Sequence, residues 1–365
     1  MAAPIARSER LDPAVFRLPV ERIREGYYTD AYFNLSKELL EAEGRHPAVT
    51  MQVFQRRESV LGGIDEAIAV LKQCAGRSAP DGWEPGFDEL SVQALNEGDE
   101  VSPFETVMTI EGDYSLFAHL ETVYLGCLAR RTLVMSNVRE VVEAAGDKPI
   151  LFFPARHDHW LVQTGDGWAA HVAGAIGVST DAQASWWGGR GVGTVPHALI
   201  AAYGGDTVAA ADAFTRRFGD TTNVVVLVDF ENDSVRTALE VADALGERLW
   251  GVRLDTSDRL VDQALWHEMG DFKPTGVNPV LVNRVRSALD AAGHERVRIV
   301  VSGGFDAERI SQFEELGAPV DSYGVGSSLL RGQNDFTADV VRVDGRDCSK
   351  VGRAYKPNAR LLPVD

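Results

Sequence analysis

The sequence predicts an α/β protein, an incomplete parallel α/β barrel preceded by a β-rich N-terminal domain. Three observations carry that expectation. From Pro149 onward, apolar stretches of strand length alternate with helical ones, the pattern of a parallel sheet with helical crossovers. Before that point, residues 1–113 mix short strands and turns. Near the end, the apolar strands Arg298–Ser302 and Val320–Tyr323 each run into a glycine turn, with one helical segment, Ala307–Leu316, between them.

Taken in chain order, Ala48–Arg56 alternates like a half-buried strand, and Gly63–Cys74 reads as an amphipathic helix. Ser91–Ile110 reads as two strands broken at Glu97-Gly98-Asp99 and at Ser102-Pro103. Leu116–Ala145 contains no proline, keeps apolar residues at helical spacing, and predicts two helices ended by Gly146. Seven strands are expected next: Ile150–Phe153, Gly174–Val178, Gly191–Thr194, Val224–Val228, Leu249–Leu254, Arg298–Ser302 and Ser322–Val325. Helices are expected at Asp206–Phe218, Val235–Leu245 and Val280–Ala291. The tail from Asp335 reads as strands that fold back onto the front. The domain boundaries that follow are 1–115 for the β-rich domain, 116–148 for a helical bridge, 149–334 for the barrel and 335–365 for the returning tail.

Composition narrows the function classes. The 365 residues are enough for two cores, and 45% hydrophobic with 25% charged residues is ordinary for a soluble globular protein. No apolar run approaches the roughly 20 residues of a membrane span, and the opening MAAPIARSER has no apolar export segment. The three cysteines, Cys74, Cys127 and Cys348, have no pairing or metal spacing, which points to a reducing cytoplasm. A formal charge of −18 argues against nucleic acid as a partner. An anionic substrate would need local arginines working against that field.

The ends of the expected strands share a chemistry. They read Phe153-Pro154-Ala155-Arg156, Ser179-Thr180-Asp181, Gly193-Thr194-Val195-Pro196-His197, Asp229, and Arg253-Leu254-Asp255-Thr256-Ser257. Functional residues of barrels gather on this rim. Each Ser, Thr or Asp alone fits a helix cap equally well. The two glycine turns, with Ser302, Gly303 and Gly304 in one and Gly324, Gly326 and Ser327 in the other, offer bare N–H groups to a phosphate.

The series resembles the nicotinate phosphoribosyltransferase family, of the type II phosphoribosyltransferase fold shared with the nicotinamide and quinolinate enzymes. The matching pieces are Thr29-Asp30-Ala31-Tyr32, Phe153-x-x-Arg156, Thr180-Asp181, Gly193–Leu199 (GTVPHAL), Val252–Asp258 (VRLDTSD) and both glycine turns. The resemblance implies transfer of phosphoribose from phosphoribosyl pyrophosphate to nicotinate, coupled to ATP through a phosphohistidine, in NAD biosynthesis. It also implies a homodimer with shared active sites, Mg²⁺ at no assigned site, and no resident protein-bound metal.

By that resemblance His197 is the phosphorylated catalytic residue, and Asp229 and Asp255 serve the ribose hydroxyls or a metal. Arg253 and Arg156 hold phosphate or the pyridine carboxylate. Phe153 stacks on the pyridine from one side and Tyr32, brought in by a neighbouring subunit, from the other, with Asp30 of the same short motif also binding substrate. The oxocarbenium-like transition state wants nearby carboxylates, and the pyrophosphate leaving group wants cations.

Two departures bear on the substrate. Pro154 and a single Arg156 followed by His157 replace the family's glycine and paired arginines. Asp181 stands where nicotinate enzymes tend to carry serine and the nicotinamide enzyme carries aspartate, so it points toward nicotinamide, while the GTVPH segment points toward nicotinate. Some archaeal-type relatives end in a zinc-binding cysteine cluster; only Cys348 remains here, so no zinc is expected. Competing readings are a phosphosugar isomerase or aldolase, a noncatalytic sensor, and metal ligation by His157-Asp158-His159. Asn232-Asp233-Ser234 reads as a helix cap, and Trp186-Trp187-Gly188-Gly189 as a loop or helix end packed in the core or an interface.

Overall fold

The computed structural model describes residues 9–268 and 272–365. Most of the opening segment weighed above for export lies outside the described residues. The chain divides into two compact units, Asn137–Arg331 and the residues up to Ser136 together with Gly332–Asp365.

The first unit is built on a six-stranded, wholly parallel sheet. Its strands are β1 (Ile150–Phe152), β2 (Gly177–Val178), β3 (Val225–Leu227), β4 (Gly251–Leu254), β5 (Arg298–Val301) and β6 (Ser322–Val325), in the spatial order β3-β4-β5-β6-β1-β2. The sheet edges, β2 and β3, are linked by the strap 191–196 rather than by a strand. Val192 N–H donates to the Val178 carbonyl at 2.7 Å, and Val195 N–H donates to the Val225 carbonyl at 2.8 Å. The expected strand Gly191–Thr194 is therefore corrected to this bridge. Two glycines and the following Pro196 leave few side chains to pack and one N–H fewer for a ladder.

The expected second strand also shortens. Gly174 takes φ +112 and ends the helix Gln163–Ala173, so pairing begins only at Gly177. That helix was not anticipated because Gly165 and Gly167 hide its pattern. Gly167 is required by packing: a Cβ there would lie 2.2 Å from the Gln183 carbonyl oxygen. Crossover helices Thr207–Phe218, Ser234–Leu245, Pro279–Ala291 and Ala307–Glu315 begin at the caps Asp206, Asp233, Asn278 and Asp306, whose side chains accept backbone N–H groups. The sheet interior is apolar, with Val226, Val252, Ile299, Val301 and Val325 fully buried.

The second unit holds a six-stranded antiparallel sheet. Ala48–Gln55 pairs on one side with Thr106–Asp113 and on the other with the late strand Phe336–Val343. The chain's end therefore completes a sheet begun by its start. The helix Ile64–Cys74 is buried on nearly every side, and its acidic residues are paired, Asp65 with Arg10 at 2.9 Å and Glu66 with Arg131 at 3.0 Å. The two helices expected over Leu116–Ala145 are corrected to short 3₁₀ turns and one helix, Glu121–Ala145, ended by Gly146 at φ +60. Inside it, Gly126 is exposed and interrupts nothing.

Candidate active site

The C-terminal ends of the barrel strands bring most of the anticipated polar residues together, and Arg253 on β4 is their hub. Its Nε donates to Ser302 Oγ at 2.7 Å, Nη2 to Asp255 Oδ2 at 3.3 Å, and Nη1 to Thr194 Oγ1 at 3.4 Å. Ser302 Oγ in turn donates to Asp255 Oδ1 at 2.8 Å. The guanidinium carbon lies 5.3 Å from the centroid of the Phe153 ring. A half-buried guanidinium is thus held by one carboxylate and two hydroxyls, with its charge only partly countered. That is a station for a further anion.

Both glycine turns flank this hub. Gly303 and Gly304 take φ +90 and +74, which only glycine adopts without strain. The Arg309 guanidinium takes their carbonyls, at 2.7 Å and 3.2 Å, so the peptide units are oriented from behind. Ser328 Oγ donates to the Phe305 carbonyl at 2.7 Å and ties the second turn to the first. Among the described residues, the N–H groups of Gly303, Gly304, Gly326 and Ser327 find no protein acceptor. These are the donors an anion needs. Gly324 serves a different purpose. A Cβ there would lie 2.9 Å from the Phe153 ring, so its missing side chain makes the seat for that aromatic.

His197 opens the helix His197–Ala202, and its Nε2 lies 2.9 Å from Asp229 Oδ1. The Asp229 side chain is 7% exposed and that of His197 is 42% exposed. The hydrogen bond that Nε2–H donates to Asp229 holds the imidazolium above the ordinary histidine range. Burial opposes it, Asp229 and Asp255 add attraction, and Arg253 works against it. An ionised carboxylate only accepts, so in the neutral ring Nε2 carries the hydrogen and Nδ1 keeps a free lone pair.

Other anticipated residues are placed as follows. Thr180 caps the helix Asp181–Ala184 in a capping box with Gln183 and donates to Gln163 Oε1 at 2.9 Å. Asp181 Oδ1 accepts the Gly191 N–H at 2.9 Å. Arg156 is exposed on a 3₁₀ turn, with no ion pair or hydrogen bond among the described residues. Asp30 and Tyr32 belong to the other unit. Asp30 Oδ2 accepts from Thr122 Oγ1 at 2.8 Å, and Tyr32 is 60% exposed. Beside Gly303 and Gly304 lies a cleft of about 880 Å³ whose lining includes Asp255, Asp258, Lys273 and Arg331.

Thr194 and Arg309 were not anticipated as site residues. Thr194 was legible as a strand-end hydroxyl, but its aim at Arg253 was not. Nothing in the spacing around Arg309 reports that its side chain folds back onto the turn. Among the described residues no group of three or more His, Cys, Asp or Glu side chains is arranged to hold a metal. Asp229 and Asp255 are two oxygen donors, the number Mg²⁺ commonly takes when substrate phosphates supply the rest.

Comparison with known proteins fits this geometry. Residues 30–132 match the family model of the quinolinate phosphoribosyl transferase N-terminal domain. Nicotinate phosphoribosyltransferase pncB1 of Mycobacterium tuberculosis (strain H37Rv) is 32% identical over 352 residues, covering 88% of this chain and 73% of that one. The nicotinate phosphoribosyltransferase of Bacillus subtilis (strain 168) is 25% identical over 295 residues, covering 76% and 56%. The crystal structure of nicotinate-nucleotide pyrophosphorylase from Pyrococcus furiosus superposes with TM-score 0.78 at 31% identity, over 95% of this chain and 85% of that one. Human nicotinic acid phosphoribosyltransferase shares the fold, with TM-score 0.69 at 20% identity over 90% and 77%.

Proposed function

The chain belongs to the nicotinate phosphoribosyltransferase family, and on that premise we propose that it joins nicotinate to phosphoribosyl pyrophosphate, giving nicotinate mononucleotide and pyrophosphate for NAD biosynthesis. The observation that carries this is the closed set Arg253–Ser302–Asp255 beside two turns in which, among the described residues, the N–H groups of Gly303, Gly304, Gly326 and Ser327 have no acceptor.

The donor's 5′-phosphate would take the N–H groups of Gly303, Gly304, Gly326 and Ser327, with Arg253 alongside. Asp229 and Asp255 would face the sugar and favour positive charge developing at C1 as the C1–O bond to pyrophosphate breaks. The pyridine nitrogen then closes on C1. The same two carboxylates would hold a Mg²⁺ carried with the pyrophosphate, where the ion neutralises the leaving group. Phe153, seated on Gly324, would stack on the pyridine, and Arg156 supplies an unspent fork for its carboxylate.

ATP enters through His197. Nδ1 would attack the γ-phosphorus, ADP would leave with the bridging oxygen, and water would later return the imidazole and free phosphate. Asp229 fixes the tautomer that leaves Nδ1 available. A second copy would supply Asp30 and Tyr32 in a homodimer. The exposed Tyr27, Tyr28, Tyr32, Leu35 and Leu39 on and before the helix Ala31–Ala42 support such a partner. Cys74, Cys127 and Cys348 are all free, which supports the cytoplasm as the compartment. No helix among the described residues is long and apolar enough to cross a membrane.

The test is release of pyrophosphate from the sugar donor, with nicotinate and with nicotinamide, in the presence and absence of ATP. Nicotinate-dependent release stimulated by ATP is the expected result. No release with either pyridine would refute the function.

A further inference from the structure

Asp181 stands at the barrel mouth, yet its carboxylate is already engaged. Oδ1 accepts the Gly191 N–H, and Gly191 itself is pressed onto the preceding step. A Cβ there would lie 2.8 Å from the Thr180 Cα and carbonyl carbon. The strap that begins at Gly191 carries two working groups within seven residues. Thr194 meets Arg253, and His197 meets Asp229.

Along the strap only Val195, which bridges Val226 of β3, is fully buried. Its sequence from Gly191 is Gly-Val-Gly-Thr-Val-Pro, and its backbone touches each neighbouring strand through one hydrogen bond, at Val192 and at Val195. A strand placed by a full ladder resists sliding. A segment with single bonds on either side is placed by its ends, and a slip of one residue would move it about 3.3 Å. Upstream, Trp187 stacks on His171 with centroids 4.4 Å apart and planes at 8°, which holds the first half of the loop. Asp181 holds the second half.

We propose that Asp181 is a positioning residue whose carboxylate, through Gly191, sets the strap that delivers Thr194 to Arg253 and His197 to Asp229. Selection between the acid and amide forms of the pyridine then lies with other groups. The role presupposes the transfer reaction proposed above, and the experiments separate the two.

The first measurement needs no substrate. Amide exchange over 191–195 is followed in the wild type, Asp181→Ala and Asp181→Asn. In Asp181→Ala, exchange at Gly191 and Val192 rises about tenfold, the scale of one lost hydrogen bond. Asp181→Asn keeps an oxygen acceptor and restores the wild-type rate. Unchanged exchange in Asp181→Ala overturns the role.

The second measurement is kcat/KM for each pyridine. Asp181→Ala lowers kcat about tenfold for both pyridines and leaves their ratio unchanged. A shift of that ratio by about tenfold or more in Asp181→Asn would put the carboxylate on the pyridine and overturn the role. A wild type without transfer activity would refute the proposed function and leave the first measurement to decide the role of Asp181.

Discussion

His197 and His119 carry the same imidazole, but the barrel rim and the core of the N-terminal unit treat it in opposite ways. On the rim, His197 has a buried carboxylate at 2.9 Å and solvent on one side, and its positive form is favoured. In the core, His119 is 1% exposed, edge-on to Trp83, and neither ring nitrogen makes a well-formed hydrogen bond. Burial, with Lys37 nearby, pushes it down to about 3, against a small opposing pull from the Cys74 backbone. The difference teaches which polar residue is fit for chemistry. A group with a partner and access to water can exchange protons or phosphoryl groups, whereas a sealed neutral one can only fill space.

The largest effect that would confirm this contrast is expected at the hub. Arg253→Met should lower kcat/KM for the sugar donor about a thousandfold while leaving the thermal unfolding of the N-terminal unit unchanged, measured by steady-state kinetics beside calorimetry. His197→Ala should abolish ATP hydrolysis and leave a slower transfer. Persisting ATP turnover in that variant would end the role of His197. Gly324→Val puts carbon into the space of the Phe153 ring, and KM for the pyridine should rise by roughly tenfold to a hundredfold with a smaller change in KM for the donor.

The smaller effects concern pH. ATP hydrolysis needs neutral Nδ1, so its rate should rise with pH through a limb above the ordinary imidazole value of about 6.5. Asp229→Asn should bring that limb down toward it. His119 works with the opposite sign. Its folded form resists protonation, so below pH about 6.5 the unfolded chain takes the proton first. Stability is then lost progressively as pH falls toward about 3, by at most about 1.4 kcal/mol for each step of one in pH. His119→Leu should flatten that acid limb of the melting temperature without touching transfer.

How far the sequence disclosed these regions depends on the kind of signal involved. Apolar strands such as Val225–Leu227 and Arg298–Val301 were legible because burial on both faces forces continuous Val, Ile and Leu. Helix starts were legible through Asp206 and Asp233, whose caps are local chemistry. The strap at 191–196 was misread as a strand because glycine and valine alternate there in any case, and only its neighbours reveal that it pairs by single bonds. The helix Gln163–Ala173 was missed because its glycines answer to contact with Gln183, a tertiary demand. In the site, Arg253 and the glycine turns were visible as residue types out of place on apolar strands. The grip of Arg309 on Gly303 and Gly304, and that of Asp181 on Gly191, exist only in three dimensions.

The most direct test is a crystal soaked with phosphoribosyl pyrophosphate. The 5′-phosphate should lie within hydrogen-bond distance of the N–H groups of Gly303, Gly304, Gly326 and Ser327, with the Arg253 guanidinium beside it and Asp255 turned to the ribose. A bound donor whose phosphate sits elsewhere, with both turns left empty, would contradict it.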